Sequence, residues 1–209
     1  MKSIRILGLV LMMMMVSSTQ AQTVKETADS VMAGVKSGNA KDAFSKITDS
    51  FQKKKEHVDS ILGTWTYKEP AVYATKGNML LKMAGNAVAD QLEKLLQDYI
   101  DKSNITPQNT QFTFHKDSSF DRIIAGHKAH GLWLINGEKL IMGFDNVVTA
   151  EVTIHHEKGD MMMLIDVDKL LTGLKKLGAM KDTKTNKRLI KLSRRIPGLQ
   201  AGILLVKKQ

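Results

Sequence analysis

Past residue 110 the chain alternates apolar and polar positions in short runs, over 110–114, 119–125, 129–135, 139–144, 147–155 and 161–167. A period of two puts every second side chain on one face, so each run predicts a half-buried β-strand. The breaks between them are short and made of turn residues: Lys116-Asp117-Ser118, Gly126-His127, Asn136-Gly137, Asp145-Asn146 and Lys158-Gly159-Asp160. Strands joined this tightly are antiparallel neighbours. Asn136-Gly137 is the strongest turn signal, since both residues accept the positive φ angles of a type I′ hairpin. An earlier run from Gly63 to Tyr67 alternates in the same way, and Pro70 is expected to end it, because proline cannot donate to a ladder. A last apolar run over 199–206 has strand length. With these two the count is about eight, the number at which an antiparallel sheet can close on itself, its first and last strands pairing.

Elsewhere the period lengthens. Residues 78–100 carry Leu80, Leu81, Ala84, Val88, Leu92, Leu95, Leu96 and Tyr99 at steps of three and four, which predicts an amphipathic helix lying over one barrel end. Residues 168–196 read as two further helices, stopped by Pro197-Gly198. Ahead of residue 61, Val24, Ala28, Val31 and Val35, then Phe44, Ile47 and Phe51, predict two short amphipathic helices separated at Gly38-Asn39. The predicted fold class is mainly β with added helices: an eight-stranded antiparallel barrel, one helix inserted between strands 1 and 2, and helices before the last strand.

A closed barrel sorts its side chains into two sets. With Trp65 inward, alternation turns Tyr67, Phe112, Phe114, Phe120, Ile124, Leu132, Leu134, Leu140, Met142, Phe144, Val148, Val152, Ile154, Met161, Met163 and Ile165 the same way. Eight strands leave an interior just wide enough either to fill with side chains or to hold one small ligand, and the pattern leaves both open. The same alternation turns Arg122 and His130 inward, and a buried charge needs a partner. A ligand carboxylate or phosphate would satisfy Arg122 bidentately, with Tyr67 adding a hydroxyl. A bulge that turns Arg122 out, or a pairing with Asp166, would satisfy it as well. The ligand set expected on this reading is Trp65, Tyr67, Phe112, Phe114, Arg122, His130, Leu132 and Met142, and the ligand a small hydrophobic or amphipathic molecule. His155 and His156 are adjacent in a strand and so face opposite ways, which prevents both from gripping one metal ion. No Ser-His-Asp order, Gly-rich phosphate loop or paired glycosidase carboxylates stand out, so neither an enzyme nor a cofactor is expected.

The first 21 residues alter the setting. Lys2 and Arg5 precede the apolar stretch 6–16, and Ser17-Ser18-Thr19-Gln20-Ala21 supplies a small-residue exit. This is the layout of a secretory signal peptide, too short to span a bilayer comfortably and expected to be cleaved after Ala21. The expected organisation is a leader over 1–21, a helical segment over 22–60 and a barrel domain over 61–209. The expected destination is the periplasm or beyond, with no transmembrane span after cleavage. The absence of cysteine excludes disulfides, thiolate nucleophiles and iron–sulfur clusters.

Charge points to a second kind of partner. The chain carries a net charge of +10, and residues 168–196 hold ten basic side chains against two acidic ones. Their apolar positions lie at helical spacing, which would hold the cations outward. Lys184, Lys187, Arg188, Lys191, Arg194 and Arg195 are therefore the candidate contacts for an anionic envelope surface, whether lipid or polysaccharide. Nucleic acid is not expected, because the chain is exported and no aromatic platform accompanies the lysines.

Gly63-Thr64-Trp65 at the start of a first strand, followed by an antiparallel meander, resembles the Gly-x-Trp opening of lipocalins. The larger set, Leu62-Gly63-Thr64-Trp65-Thr66-Tyr67, Pro70-Ala71-Val72, the inserted helix, Phe112-Thr113-Phe114 and Asp168-Lys169-Leu170-Leu171, is similar to a secreted lipocalin-like family of Bacteroides-type bacteria with no assigned function. The likeness covers roughly 61–208. It implies a lipocalin-like, or calycin-like, barrel, and a basic side chain from the last strand packed over the signature Trp, a place that only Lys207 or Lys208 can fill.

Overall fold

The structure, a computed structural model, describes residues 58–74, 79–144 and 148–208. The leader, the two helices expected before residue 57 and the Asp145-Asn146 turn lie outside the described residues, as do the side chains of Leu80, Leu81, Ala84, Phe144 and Val148.

A short helix, α1 (Val58–Ile61), leads into β1 (Gly63–Ala74), and α2 (Met79–Lys102) follows before β2 (Gln111–Phe114). The meander continues through β3 (Ser119–Ile124), β4 (His127–Asn136), β5 (Lys139–Phe144), β6 (Val148–Glu157) and β7 (Asp160–Asp166). Two helices, α3 (Val167–Lys176) and α4 (Lys184–Ser193), precede β8 (Leu199–Lys207). Each strand pairs with the next in antiparallel sense, and β8 returns to β1, so the eight-stranded sheet closes into a barrel.

The expectation that Pro70 ends β1 is overturned. β1 pairs with β2 only from Gly63 to Thr66 but with β8 as far as Ala74, and Pro70 sits opposite Ile203. Past Tyr67 the β2 side of the strand is without a strand partner, and such an edge is where a sheet tolerates proline. A register shift between Tyr67 and Glu69 marks a bulge, which bends the strand so that it can follow the barrel.

The tightest hairpin also differs in kind. β4 and β5 join Asn136 to Lys139, leaving Gly137 and Glu138 as the two central residues, and only Gly137 has positive φ, at 60°. Glycine first with φ > 0 is the type II′ pattern, not I′. The I′ pattern appears instead at Ala125-Gly126, with φ of 50° and 84°, and at Lys158-Gly159, with φ of 53° and 91°.

The barrel ends are finished differently. At one end lie α1, the start of β1 and the turns after β2, β4 and β6; at the other lie α2, α3 and α4. The helix α2 buries Val88, Leu92, Leu96, Tyr99 and Ile100 in the same core as the barrel interior. It stops where Asn104 takes a left-handed φ of 55° and the Ile105 amide donates back to the Ile100 carbonyl, a glycine-type C-cap filled by asparagine. Asp166 ends β7 and starts α3 in one residue, its carboxylate accepting from the amides of Asp168 and Lys169. Thr183 caps α4 through the Asn186 amide.

Candidate functional site: the helix-covered end of the barrel

Trp65 and Tyr67 share the inner face of β1. At the α1 end, Trp65 is buried, its indole N–H donating to the Ile61 carbonyl at 2.7 Å. The Lys207 ammonium lies 5.5 Å from the Trp65 ring centroid, so the cation expected from the last strand is in place. His156 approaches the same indole, with ring centroids 6.1 Å apart, while His155 points outward and stacks on Tyr73 at 4.2 Å. Phe114, Phe120 and Trp133 fill the space behind, with Phe114 stacked on Phe120 at 6.0 Å and edge-on to Trp133 at 5.7 Å. Phe114, Met142 and Trp65 are core side chains of this half.

Tyr67 faces the other half, beneath α2. It is 3 % exposed, yet its hydroxyl has no hydrogen-bond partner among the described residues. Burial, and then the nearby carboxylates of Asp101 and Glu69, push its phenol up to about 12. Beside it is a small apolar cavity of about 30 Å³, walled by Leu96 and Ile100 of α2, Ile105, Phe112, Met163 and Ile203, with Thr110 as a second polar wall. Thr110 is committed: its hydroxyl donates to the Asn109 side chain and accepts from the Ala125 amide. Such a volume takes about one water molecule, far short of the ~300 Å³ of a drug-sized ligand site. Among the described residues this part of the interior is a packed core around a small void. Sequence reasoning found Tyr67 and Phe112 but missed the helix contribution of Leu96 and Ile100, although Leu96 belonged to the stripe that predicted α2 and Ile100 ends the predicted helical stretch.

Three expected ligand residues stand elsewhere. Arg122 shares the inner face with Phe120 and Ile124, as alternation required, and is half-buried with its guanidinium pushed down to about 10 by desolvation, but it does not line the cavity. Asp166, considered as its partner, is occupied in capping α3. His130 and Leu132 do not face inward. Phe120 lies opposite Gly131, so Gly131 and Trp133 occupy the inner face of β4 and His130, Leu132 and Leu134 the outer one. The cause is the length of the β3–β4 connection. The alternating runs read from the sequence end at 125 and resume at 129, with three residues between them, whereas Ile124 pairs with His127 across the two-residue turn Ala125-Gly126, and one residue fewer in the loop flips every side chain of the next strand. A Cβ on Gly131 would come within 2.7 Å of the Phe120 ring, and only glycine fits beneath it. Trp133, missed by that register, is buried with its indole N–H donating to the Ser119 carbonyl at 2.9 Å.

On the outside, His130 Nδ1 and His115 Nε2 bracket the Asp121 carboxylate at 2.9 and 2.8 Å, holding its carboxyl below the usual range. The basic candidates are exposed on α3 and α4 as expected, but not all are free of partners. Arg194 pairs with Asp168 at 3.1 Å, and Lys187 and Lys175 both reach Asp182, at 3.6 and 3.3 Å. Among the described residues no helix is long and apolar enough to cross a membrane.

A family described as lipocalin-like domain (DUF4923) matches residues 32–207, which takes in the whole barrel and part of the segment ahead of it. Among solved structures, a DUF4847 family protein from Bacteroides vulgatus is similar at 16 % identity, covering 51 % of this chain and 86 % of that one with a TM-score of 0.29. No curated protein matches.

Proposed function

The chain belongs to this lipocalin-like family, and on that premise we propose that it is an exported, non-enzymatic binding protein that takes up a small amphipathic ligand in the half of its barrel beneath α2. The observation that carries the reading is the Tyr67 hydroxyl, buried without a partner against an apolar cavity. An unmet buried hydroxyl costs about 1–3 kcal/mol, and a ligand's polar atom would recover that cost while its apolar part takes the space next to Phe112 and Met163. Uptake requires α2 to move. Leu96 and Ile100 occupy the mouth, and their withdrawal would turn a one-water void into a chamber. The leader supports export, through Lys2, Arg5 and the apolar stretch 6–16.

The test is a titration of the full mature chain with a fluorescent medium-chain fatty acid. Saturable one-to-one binding is expected, and Tyr67→Phe should weaken it by about tenfold, the worth of one hydrogen bond. A Leu96→Ala, Ile100→Ala double variant, which enlarges the void, should bind more tightly. Failure of that enlarged variant to bind would overturn the reading.

A further inference from the structure

The two helices before β8 carry a feature the barrel does not use. On α4 and the turn that follows it, Lys184, Arg188, Lys191 and Arg195 are spaced four, three and four residues apart, which sets the helical ones on one ridge, opposite the buried Leu189 and Ser193. On α3, Lys169, Thr172 and Lys176 form a matching exposed ridge opposite Leu170, Leu171 and Leu174. The acids of the segment, Asp168 and Asp182, are taken up by Arg194, Lys175 and Lys187. Lys169, Lys176, Lys181, Lys184, Arg188, Lys191 and Arg195 are exposed and have no acidic partner among the described residues. Between the ridges runs an open groove of about 510 Å³, with Leu171 and Ile190 at its floor and Thr172, Lys175, Lys176 and the Asp168–Arg194 pair on its walls. At the end of α3, next to Lys176, is Leu177, the exposed large hydrophobic residue of the described chain at 37 %.

We infer that this face docks on an anionic phospholipid bilayer. Unpaired cations beside an exposed leucine and an apolar-floored groove match a surface that offers phosphate charge outside and hydrocarbon just beneath. An acidic polysaccharide offers the charge alone and leaves Leu177 without purpose. The remaining helix of the cap has the opposite sign among its described side chains: α2 exposes Asp90, Glu93, Asp98 and Asp101 against Lys94 and Lys102. An anionic surface repels those carboxylates and attracts the α3 and α4 cations, so the field of the protein favours α3 and α4 against it.

Flotation of the mature chain with vesicles is the experiment, comparing phosphatidylglycerol–phosphatidylcholine mixtures with phosphatidylcholine alone, at low and high salt. Binding to the anionic vesicles only, weakened at least about tenfold by high salt, is expected. The charge-reversal variant of Lys176, Arg188, Lys191 and Arg195 to Glu should lose binding about tenfold or more. Leu177→Ser should lose it severalfold while keeping the salt dependence. Wild-type flotation by either variant, equal flotation with neutral vesicles, or retention on an acidic polysaccharide column without any flotation would overturn the inference. Because every substituted side chain is exposed, folding is unaffected, as circular dichroism will check. Tyr67→Phe should float as the unmodified chain does, so the outcome is independent of the barrel reading.

Discussion

Trp65 and Tyr67 stand two residues apart on one face of one strand, and the barrel treats them in opposite ways. Trp65 has its indole donor satisfied by Ile61, a cation over its ring and Ile61 sealing the end behind it. Tyr67 has its hydroxyl buried against a void and no partner for it. The first is how a core aromatic with a polar tip is ordinarily accommodated; the second is a local cost that the fold carries. One half of this barrel is packed to its polar tips and the other keeps an unmet polar group beneath α2. The proposed ligand site rests on that difference, which inward alternation by itself did not reveal.

The contrast can be broken most forcefully on the sealed half. Trp65→Ala should cost about 3–5 kcal/mol of unfolding free energy, since it empties a packed site that cannot collapse, and urea denaturation measures it. Gly131→Ala should cost about 1–3 kcal/mol, because the added methyl meets the Phe120 ring and the Gly143 carbonyl. On the helix-covered half the sign reverses: Tyr67→Phe should leave stability unchanged or raise it by about 1 kcal/mol, as the orphan hydroxyl disappears. The same residue gives a pH signature. Its folded phenol is raised from 10 to about 12, so its contribution is complete below pH 10 and lost as pH rises from 10 through about 12, while a spectroscopic titration shows its phenolate appearing late. A smaller loss, about 0.5–1 kcal/mol, is expected for Lys207→Met, which removes the cation from the Trp65 face. Smallest is the outer Asp121 pair, exposed to solvent: its carboxyl is lowered by His130 and His115, so its contribution is present at neutral pH and is lost as pH falls through that lowered value.

Much of the architecture was legible in the chain. Alternation and turn residues located the strands, their number called for closure, and the β1–β8 pairing follows. Register was legible only where one face is polar. In β4 the run Gly131-Leu132-Trp133-Leu134-Ile135 is apolar on both faces, so only the length of the preceding loop decides which side is inside, and a gap of three residues where the chain uses two hid Trp133 and turned His130 and Leu132 the wrong way. β1 outran Pro70 because what proline forbids is a ladder bond, and β2 is too short to require one there. At the candidate site the aromatics were legible, but the unmet hydroxyl was not, since satisfaction depends on where α2 lays Leu96 and Ile100. The cations of α3 and α4 were legible as a group, whereas their internal pairing with Asp168 and Asp182 required the two helices to be placed side by side.

Hydrogen exchange of the mature chain, with and without saturating decanoate, tests most directly whether α2 opens the barrel. The account predicts that the amides of α2 lose protection when ligand is bound while those of β1, β7 and β8 keep it. Unchanged protection of α2 at saturation would contradict it.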